Sequence, residues 1–410
     1  MTVNDKIAWK TQVAVYSCGA FNHSIGMMLA VVMPLWLLSI EASPFMVGIA
    51  IGSRYLLPLF LSIHGGALMD RFGARRVMLW FAFISAVCPI LFPALPFLWA
   101  VILLQMILGL ADTMGWSGAQ AMIGLVMKGN ALHAGRLAFT IRIGHFLGPL
   151  LIGVIWDWFG PWGAFSTLSI WGIGSYVATL FLPNVSQAVS PQTTNWRELI
   201  PRYSDYINTF RLLAIPAVLF VIMVTFVRHS STSMQNSFYV VYLKSIDISG
   251  TEIGALFAAS AALGALGALA TSRITRFLEP AFFLIISVVF VIAFMGLTPA
   301  LNYLPFMGVY GLLIIVIGLR GSCLGFSQVL MISILGKSLQ NKDQGKGVGL
   351  RTTVNRIMNT ALPPIVGAIV GVAGLETSFY IVASVGLIMM VAIYYYYRLH
   401  RGFRSETSTD

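Results

Sequence analysis

Apolar runs of about 20 residues recur along nearly the whole chain, separated by short polar breaks. Each is long enough to cross the roughly 30 Å hydrocarbon core of a bilayer as a helix rising 1.5 Å per residue. Twelve such spans are predicted, near 11–40, 45–68, 77–95, 97–127, 137–158, 163–182, 212–243, 251–272, 280–299, 304–336, 347–373 and 376–397. Lipid offers the backbone no hydrogen-bond partners, and the runs lack the polar/apolar alternation of barrel strands, so helices are the expected form. The first run follows a short polar leader, is too long for a signal peptide and lacks a cleavage pattern, so it is expected to be retained.

The pattern repeats internally. Sliding the chain by 206 residues sets Asn22-His23-Ser24 on Arg228-His229-Ser230, Ser39 through Ser43 on Ser245 through Ser249, and Gly48 on Gly254. At 209, Leu108-Gly109-Leu110 meets Ile317-Gly318-Leu319; at 214, Arg142 meets Arg356, Pro149 meets Pro363, Gly153 meets Gly367 and Gly160 meets Gly374. The offset grows in one direction, as loop insertions would make it. Helices 1–6 therefore correspond to helices 7–12 in the same orientation, an arrangement that implies a solute site on the pseudo-axis near mid-membrane. The expected domains are a six-helix bundle at 1–182, a polar linker at 183–211, a second bundle at 212–397 and a tail at 398–410.

Composition agrees. Hydrophobic residues make up 58% of the chain and charged residues 10%, against roughly 25% charged in a soluble domain. The net charge of +11 suggests nucleic acid until the cations are placed. Eighteen of the 25 Lys and Arg fall in alternate loops and the termini: Lys6 and Lys10; Arg71, Arg75 and Arg76; Lys128 and Arg136; Arg197, Arg202 and Arg211; Arg273 and Arg276; Lys337, Lys342 and Lys346; Arg398, Arg401 and Arg404. The opposite loops hold only Lys244. The positive-inside rule then puts the first set and both termini in the cytoplasm, in a multi-pass plasma (inner) membrane protein with no nucleic-acid partner. Cys18, Cys88 and Cys323 lie in apolar sequence and read as core residues rather than disulfides or metal ligands. No metal, cofactor or nucleophilic motif stands out, so an enzyme is not expected.

Between helices 2 and 3 stands Gly66-Ala67-Leu68-Met69-Asp70-Arg71-Phe72-Gly73-Ala74-Arg75-Arg76. This resembles the loop 2–3 signature of the major facilitator superfamily, Gly-x-Leu-x-Asp-Arg-x-Gly followed by basic residues, with Ala74 in a position where a basic residue is usual. In helix 5, Gly144-His145-Phe146-Leu147-Gly148-Pro149-Leu150-Leu151-Ile152-Gly153 resembles the family's antiporter motif, with Ile152 in place of one glycine. The resemblance implies the major facilitator fold, an all-α membrane protein of two pseudo-symmetric six-helix bundles. It further implies a conformational latch made by Gly66, Asp70, Arg71, Gly73, Arg75 and Arg76, and an exporting or exchanging role for helix 5 through Gly144, Gly148, Pro149 and Gly153. The alternatives are helix capping at the latch and plain close packing in helix 5. The arginine that proton-driven drug exporters of the family carry four residues before the helix 4 glycine is replaced here by Gln105, before Gly109.

Ionisable side chains at mid-membrane are costly and mark functional sites. Asp112 is the single acid of the 14 that falls mid-span, whereas Arg54, Arg142, Arg228, Arg320, Arg351 and Arg356 all fall within spans. In the family fold, helices 1, 4, 7 and 10 line the cavity, which makes Asn22, His23, Arg228, His229, Gln235, Asn236 and Arg320 candidate solute ligands. His23 and His229 each precede an aromatic residue, Trp36 or Tyr242, by 13 residues, which sets them roughly 20 Å below one membrane face. The excess of cations favours an anionic or zwitterionic solute held by guanidinium groups. Asp112, His23 and His229 are the candidate proton carriers. Two bland readings stand beside this one: an Asp112–Arg320 structural ion pair, and histidines that only hydrogen-bond between helices. Arg142 and Arg356 are expected to make gate or interhelix contacts.

The expected function is proton-coupled export or exchange of a small organic solute by a monomer, with no cofactor. The competing readings are a broad-specificity drug/proton antiporter and a non-transporting receptor or scaffold of the same fold.

Overall fold

The structure is a computed structural model and describes residues 7–128, 130–184, 210–303, 308–339 and 343–400, with the side chains of residues 62–67, 70, 131 and 345 excepted. Most of the expected linker (185–209) and tail (401–410) lie outside the described residues.

Among the described residues all regular structure is helical. The first half runs α1 (Trp9–Ser39), α2 (Pro44–Ser53), α3 (Leu56–Phe72), α4 (Ala74–Val87), α5 (Leu91–Ala94), α6 (Leu98–Met127) and α7 (Ala131–Leu180). The second runs α8 (Pro216–Met234), α9 (Val240–Ser245), α10 (Gly250–Ile274), α11 (Pro280–Leu297), α12 (Val309–Ser338), α13 (Gln344–Ala373) and α14 (Leu375–Leu399). A π-helical segment, Gln235–Tyr239, joins α8 to α9.

Among the described residues, eleven helical stretches are long and apolar enough to cross a membrane. One of them, Leu132–Leu180, has 49 residues, more than twice the length a bilayer requires. It is not one straight helix. At Gly160 the backbone turns to φ 62°, ψ −160°, a region open essentially only to glycine. Divided there, it supplies the two spans that the sequence places at 137–158 and 163–182. The predicted second span is also interrupted, at Arg54–Tyr55 between α2 and α3. Pro58, lacking an N–H, has no hydrogen to return to the Arg54 carbonyl one turn back.

The backbone reproduces the sequence repeat in detail. Glu41 and Asp247, 206 residues apart, close α1 and α9 in the left-handed region at φ 55° and 60°. Ser39 and Ser245, at the same offset, donate their hydroxyls to the carbonyls of Trp36 and Tyr242, each at 2.7 Å. Gly160 and Gly374, at offset 214, both take positive φ. Adding a methyl group at either is expected to cost about 1–3 kcal/mol in strain, so Gly160→Ala and Gly374→Ala should each lower the melting temperature of the detergent-purified protein.

Two compact units form. One comprises Met1–Ala42, Ser53–Ile200 and Ile248–Ala255; the other comprises Ser43–Gly52, Pro201–Asp247 and Leu256–Asp410. Each thus takes in one short segment from the opposite half of the sequence. The first is centred on Val15, Cys18, Val77, Met78, Met114, Ala119 and Met122. The second is centred on Phe220, Val224, Leu284, Val288, Met331 and Ile334. Cys18, Cys88 and Cys323 are unpaired, the first two buried.

Candidate functional site

In the first unit, the only mid-span acid has a dedicated partner. Asp112 on α6 accepts from Nη2 of Arg54 at 3.0 Å, with both side chains mostly withdrawn from solvent. Its ion-pair partner within this unit is Arg54, from the break between α2 and α3. Gly26 on α1 covers the pair: a Cβ there would stand 3.3 Å from Asp112 Oδ2 and 3.6 Å from Arg54 Nη2. Gly109, one turn before Asp112, has no room for a Cβ because the Arg54 carbonyl lies against it. The helix break and the glycine together let the guanidinium reach the carboxylate. A second oxygen, Asp112 Oδ1, and Arg54 Nη1 are buried without a hydrogen-bond partner among the described residues, leaving capacity for a proton, water or solute.

One turn along each helix stands an aromatic cluster. His23, three residues before Gly26, stacks on Trp116 with ring centroids 4.8 Å apart, and its ring lies 5.0 Å from that of His145 on α7. Trp116 follows Asp112 by four residues, so both occupy one face of α6. Arg142 precedes His145 by three residues and is exposed. Asn22 is buried and donates to the Ser175 hydroxyl at 2.9 Å.

The second unit repeats some of these contacts and alters others. The side chain of Asn359 lies beside His229. His229 and Asn359 are the repeat counterparts of His23 and His145, so the corresponding helices meet at these positions in both units. Arg228, the counterpart of Asn22, donates from Nε to Ser327 at 2.8 Å. Arg320 on α12 is 3% exposed. It donates to the amide oxygen of Gln235, and Nη2 reaches both the carbonyl and the hydroxyl of Ser231 at 3.0 Å. These acceptors are neutral. Its Nε is buried and has no hydrogen-bond partner among the described residues. Gln235 opens the π-helical segment, whose wider turn shifts the facing side chains relative to a regular helix. Asn236 is half-buried.

Asn22, Gln235 and Arg320, all expected to bind solute, thus spend hydrogen bonds within their own units. His23, Asp112 and Arg54 are brought together in the first; Gln235 meets Arg320 in the second, while Arg228 turns to Ser327. Trp116, Ser231, Ser327 and Asn359 carry no ionisable group, so charge counting passes over them. Asn359 was nonetheless within reach of the repeat, at offset 214 from His145.

At the latch, Gly73 takes φ 85° at the junction of α3 and α4, the conformation that explains its presence in the motif. Arg75 donates to the Leu180 carbonyl at 2.7 Å, Arg71 lies 5.4 Å from the Phe72 ring, and Arg76 is exposed. Gly66 lies within α3, and the side chain of Asp70 lies outside the described residues. In the helix 5 motif, a Cβ on Gly144 or Gly148 would meet Ser24 or Met28 of α1 at 2.9 Å, and Gly153 lies against the backbone of Gly250. Among the described residues, no group of three or more His, Cys, Asp or Glu is placed to hold a metal ion.

The family model of the Major Facilitator Superfamily matches residues 15–294, and matches again over residues 221–409. The chain belongs to that superfamily. Among curated relatives, the enterobactin exporter EntS of Citrobacter koseri is 26% identical over 388 residues, covering 90% of this chain and 88% of its own. EntS of Salmonella typhimurium is 24% identical over 389 residues, covering 90% and 89%. Two solved structures share the fold. The nucleoside transporter NupG has a TM-score of 0.76 at 14% identity, covering 95% of this chain and 99% of its own. A bacterial homologue of the human lysosomal transporter Spinster has a TM-score of 0.73 at 12%, covering 97% and 98%. This chain is an integral membrane transporter of small molecules, related to exporters.

Proposed function

We propose that this transporter exports a small organic anion or zwitterion by alternating access, in exchange for protons, and that Asp112 is the proton carrier. The supporting observation is a division of charge. The one mid-span carboxylate is committed to Arg54 and is poorly placed to attract a cationic solute. Arg320, by contrast, keeps its charge among neutral acceptors. A cation held without a counter-ion at low solvent exposure is costly by itself, and an anionic solute group relieves that cost. Arg228, His229 and Asn236 are the remaining candidates to contact solute in the second unit, as are His23 and Asn22 in the first. Outward direction is supported by the exporter relatives, and enterobactin is a natural first probe because EntS is named for it.

The test is a thermal-shift screen of organic anions, cations and enterobactin on the purified protein. A ligand at about 100 times its dissociation constant adds about 2.7 kcal/mol, a readily visible shift. Anions are expected to stabilise the wild type, and Arg320→Gln is expected to weaken the best of them by about tenfold or more, the scale of a lost charged contact. Stabilisation by lipophilic cations alone, lost in Asp112→Asn and kept in Arg320→Gln, would overturn the anion reading in favour of a drug/proton antiporter, for which the His23–Trp116 stack offers an aromatic platform.

A further inference from the structure

Within the second unit, a cavity of about 580 Å³ opens where α10 ends, α11 begins and α12 ends. None of the solute-site candidates lines it. Its wall carries two cations, Arg276 and Lys337, one carboxylate, Glu279, and the hydroxyls of Ser272, Thr275 and Ser333. Beside them Phe277 is 87% exposed, an apolar side chain held out next to a charged cluster. The loop pattern of cations puts this end at the cytoplasmic face, where interfacial side chains meet lipid headgroups.

Glu279 distinguishes the ligand. Its Oε2 accepts the Tyr397 hydroxyl at 2.5 Å, which anchors the side chain. Glu279 lines the cavity, and its Oε1 is buried with no hydrogen-bond partner among the described residues, so the carboxylate has an acceptor left for a cationic donor. A purely anionic headgroup suits Arg276 and Lys337 but meets the Glu279 charge without relief. A headgroup carrying both a phosphate and an ammonium satisfies all three.

We infer that this cavity binds a phosphoethanolamine lipid, with the phosphate between Arg276 and Lys337, the ammonium at Glu279 and the acyl chains leaving past Phe277. Basic pockets at the cytoplasmic ends of membrane helices hold lipid headgroups through the same charge-assisted contacts. The site is independent of which solute is transported and in which direction.

The test compares short-chain phosphatidylethanolamine, short-chain phosphatidylglycerol, glycerophosphoethanolamine and inorganic phosphate on the full-length protein in detergent, read by retained adducts in native mass spectrometry and by melting temperature. Phosphatidylethanolamine is expected to bind about tenfold more tightly than phosphatidylglycerol, the scale of one charge-assisted contact. Glu279→Gln should erase that preference, and Arg276→Gln with Lys337→Gln should weaken both lipids. Arg276 and Lys337 are exposed, so the lipid-free melting temperature should hold and report that the variant is folded. Equal or tighter binding of phosphatidylglycerol by the wild type, or no effect of the cation substitutions, would overturn the assignment. Binding of glycerophosphoethanolamine or phosphate as tight as that of the lipid would replace it with a soluble-ligand site.

Discussion

Asp112→Asn is expected to destabilise the purified transporter by about 3–5 kcal/mol, because it leaves the Arg54 guanidinium without its counter-charge in a nearly dry setting. A double variant, Arg54→Met with Asp112→Leu, should recover much of that loss, since apolar pairs of similar volume commonly replace ion pairs at little cost. Transport should behave differently. If Asp112 carries the proton, neither variant will drive solute against a pH gradient in proteoliposomes, although the double variant is stable. Active, pH-driven transport by the double variant would remove Asp112 from the mechanism and leave it a structural role. The repeat argues against a purely structural role. The counterparts of Arg54 and Asp112 are Ser260 and Gly321, and there α10 and α12 meet through a bare contact of Gly321 with the Ser260 carbonyl. The fold therefore brings these helices together without an ion pair. The charges are an addition made in one unit only.

Much of this architecture was legible in the chain because bilayers impose a crude and uniform constraint. Span length, loop charge and the drift of the repeat offset placed the helices to within a few residues. One break escaped, because an apolar run does not reveal where its backbone bends. The turn at Gly160 falls between the spans expected at 137–158 and 163–182, whereas the break at Arg54–Tyr55 aims Arg54 at α6 rather than leaving it on a regular helix. That break explains why Arg54 had no evident role from sequence, while Arg320, at a depth similar to Asp112, looked like the natural partner. Position along a helix gives depth but not azimuth. Likewise, His23 and His229 were recognisable as a symmetric pair, but the stack of His23 on Trp116 depends on which faces of α1 and α6 meet. The nearness of His145 to His23 and of Asn359 to His229 was implicit in the repeat, since corresponding positions predict corresponding neighbours.

Corresponding positions also predict corresponding injuries. Gly48 packs against the Pro363 backbone in the second unit, and Gly254 packs against the Pro149 backbone in the first. The two glycines are 206 residues apart and the two prolines 214 apart, so these are one contact made twice. Gly367 against the Pro44 carbonyl and Gly153 against the Gly250 carbonyl extend the same seam on each side. In every case the obstacle to a side chain is backbone rather than a flexible side-chain tip, so the helices themselves must part. Gly48→Leu and Gly254→Leu are each expected to cost about 3 kcal/mol, the upper end of overpacking in a close-packed interior, and to lower the melting temperature by similar amounts. Gly371→Ala is the control. Nothing lies within 4 Å of a Cβ built there, and relief of glycine's conformational freedom inside α13 should make it neutral or slightly stabilising. Unequal losses at Gly48 and Gly254, measured side by side in the same detergent, would show that the two repeats have diverged in how tightly these helix pairs are held. Equal losses would mean that close backbone contact at this seam is what both glycines are there to permit.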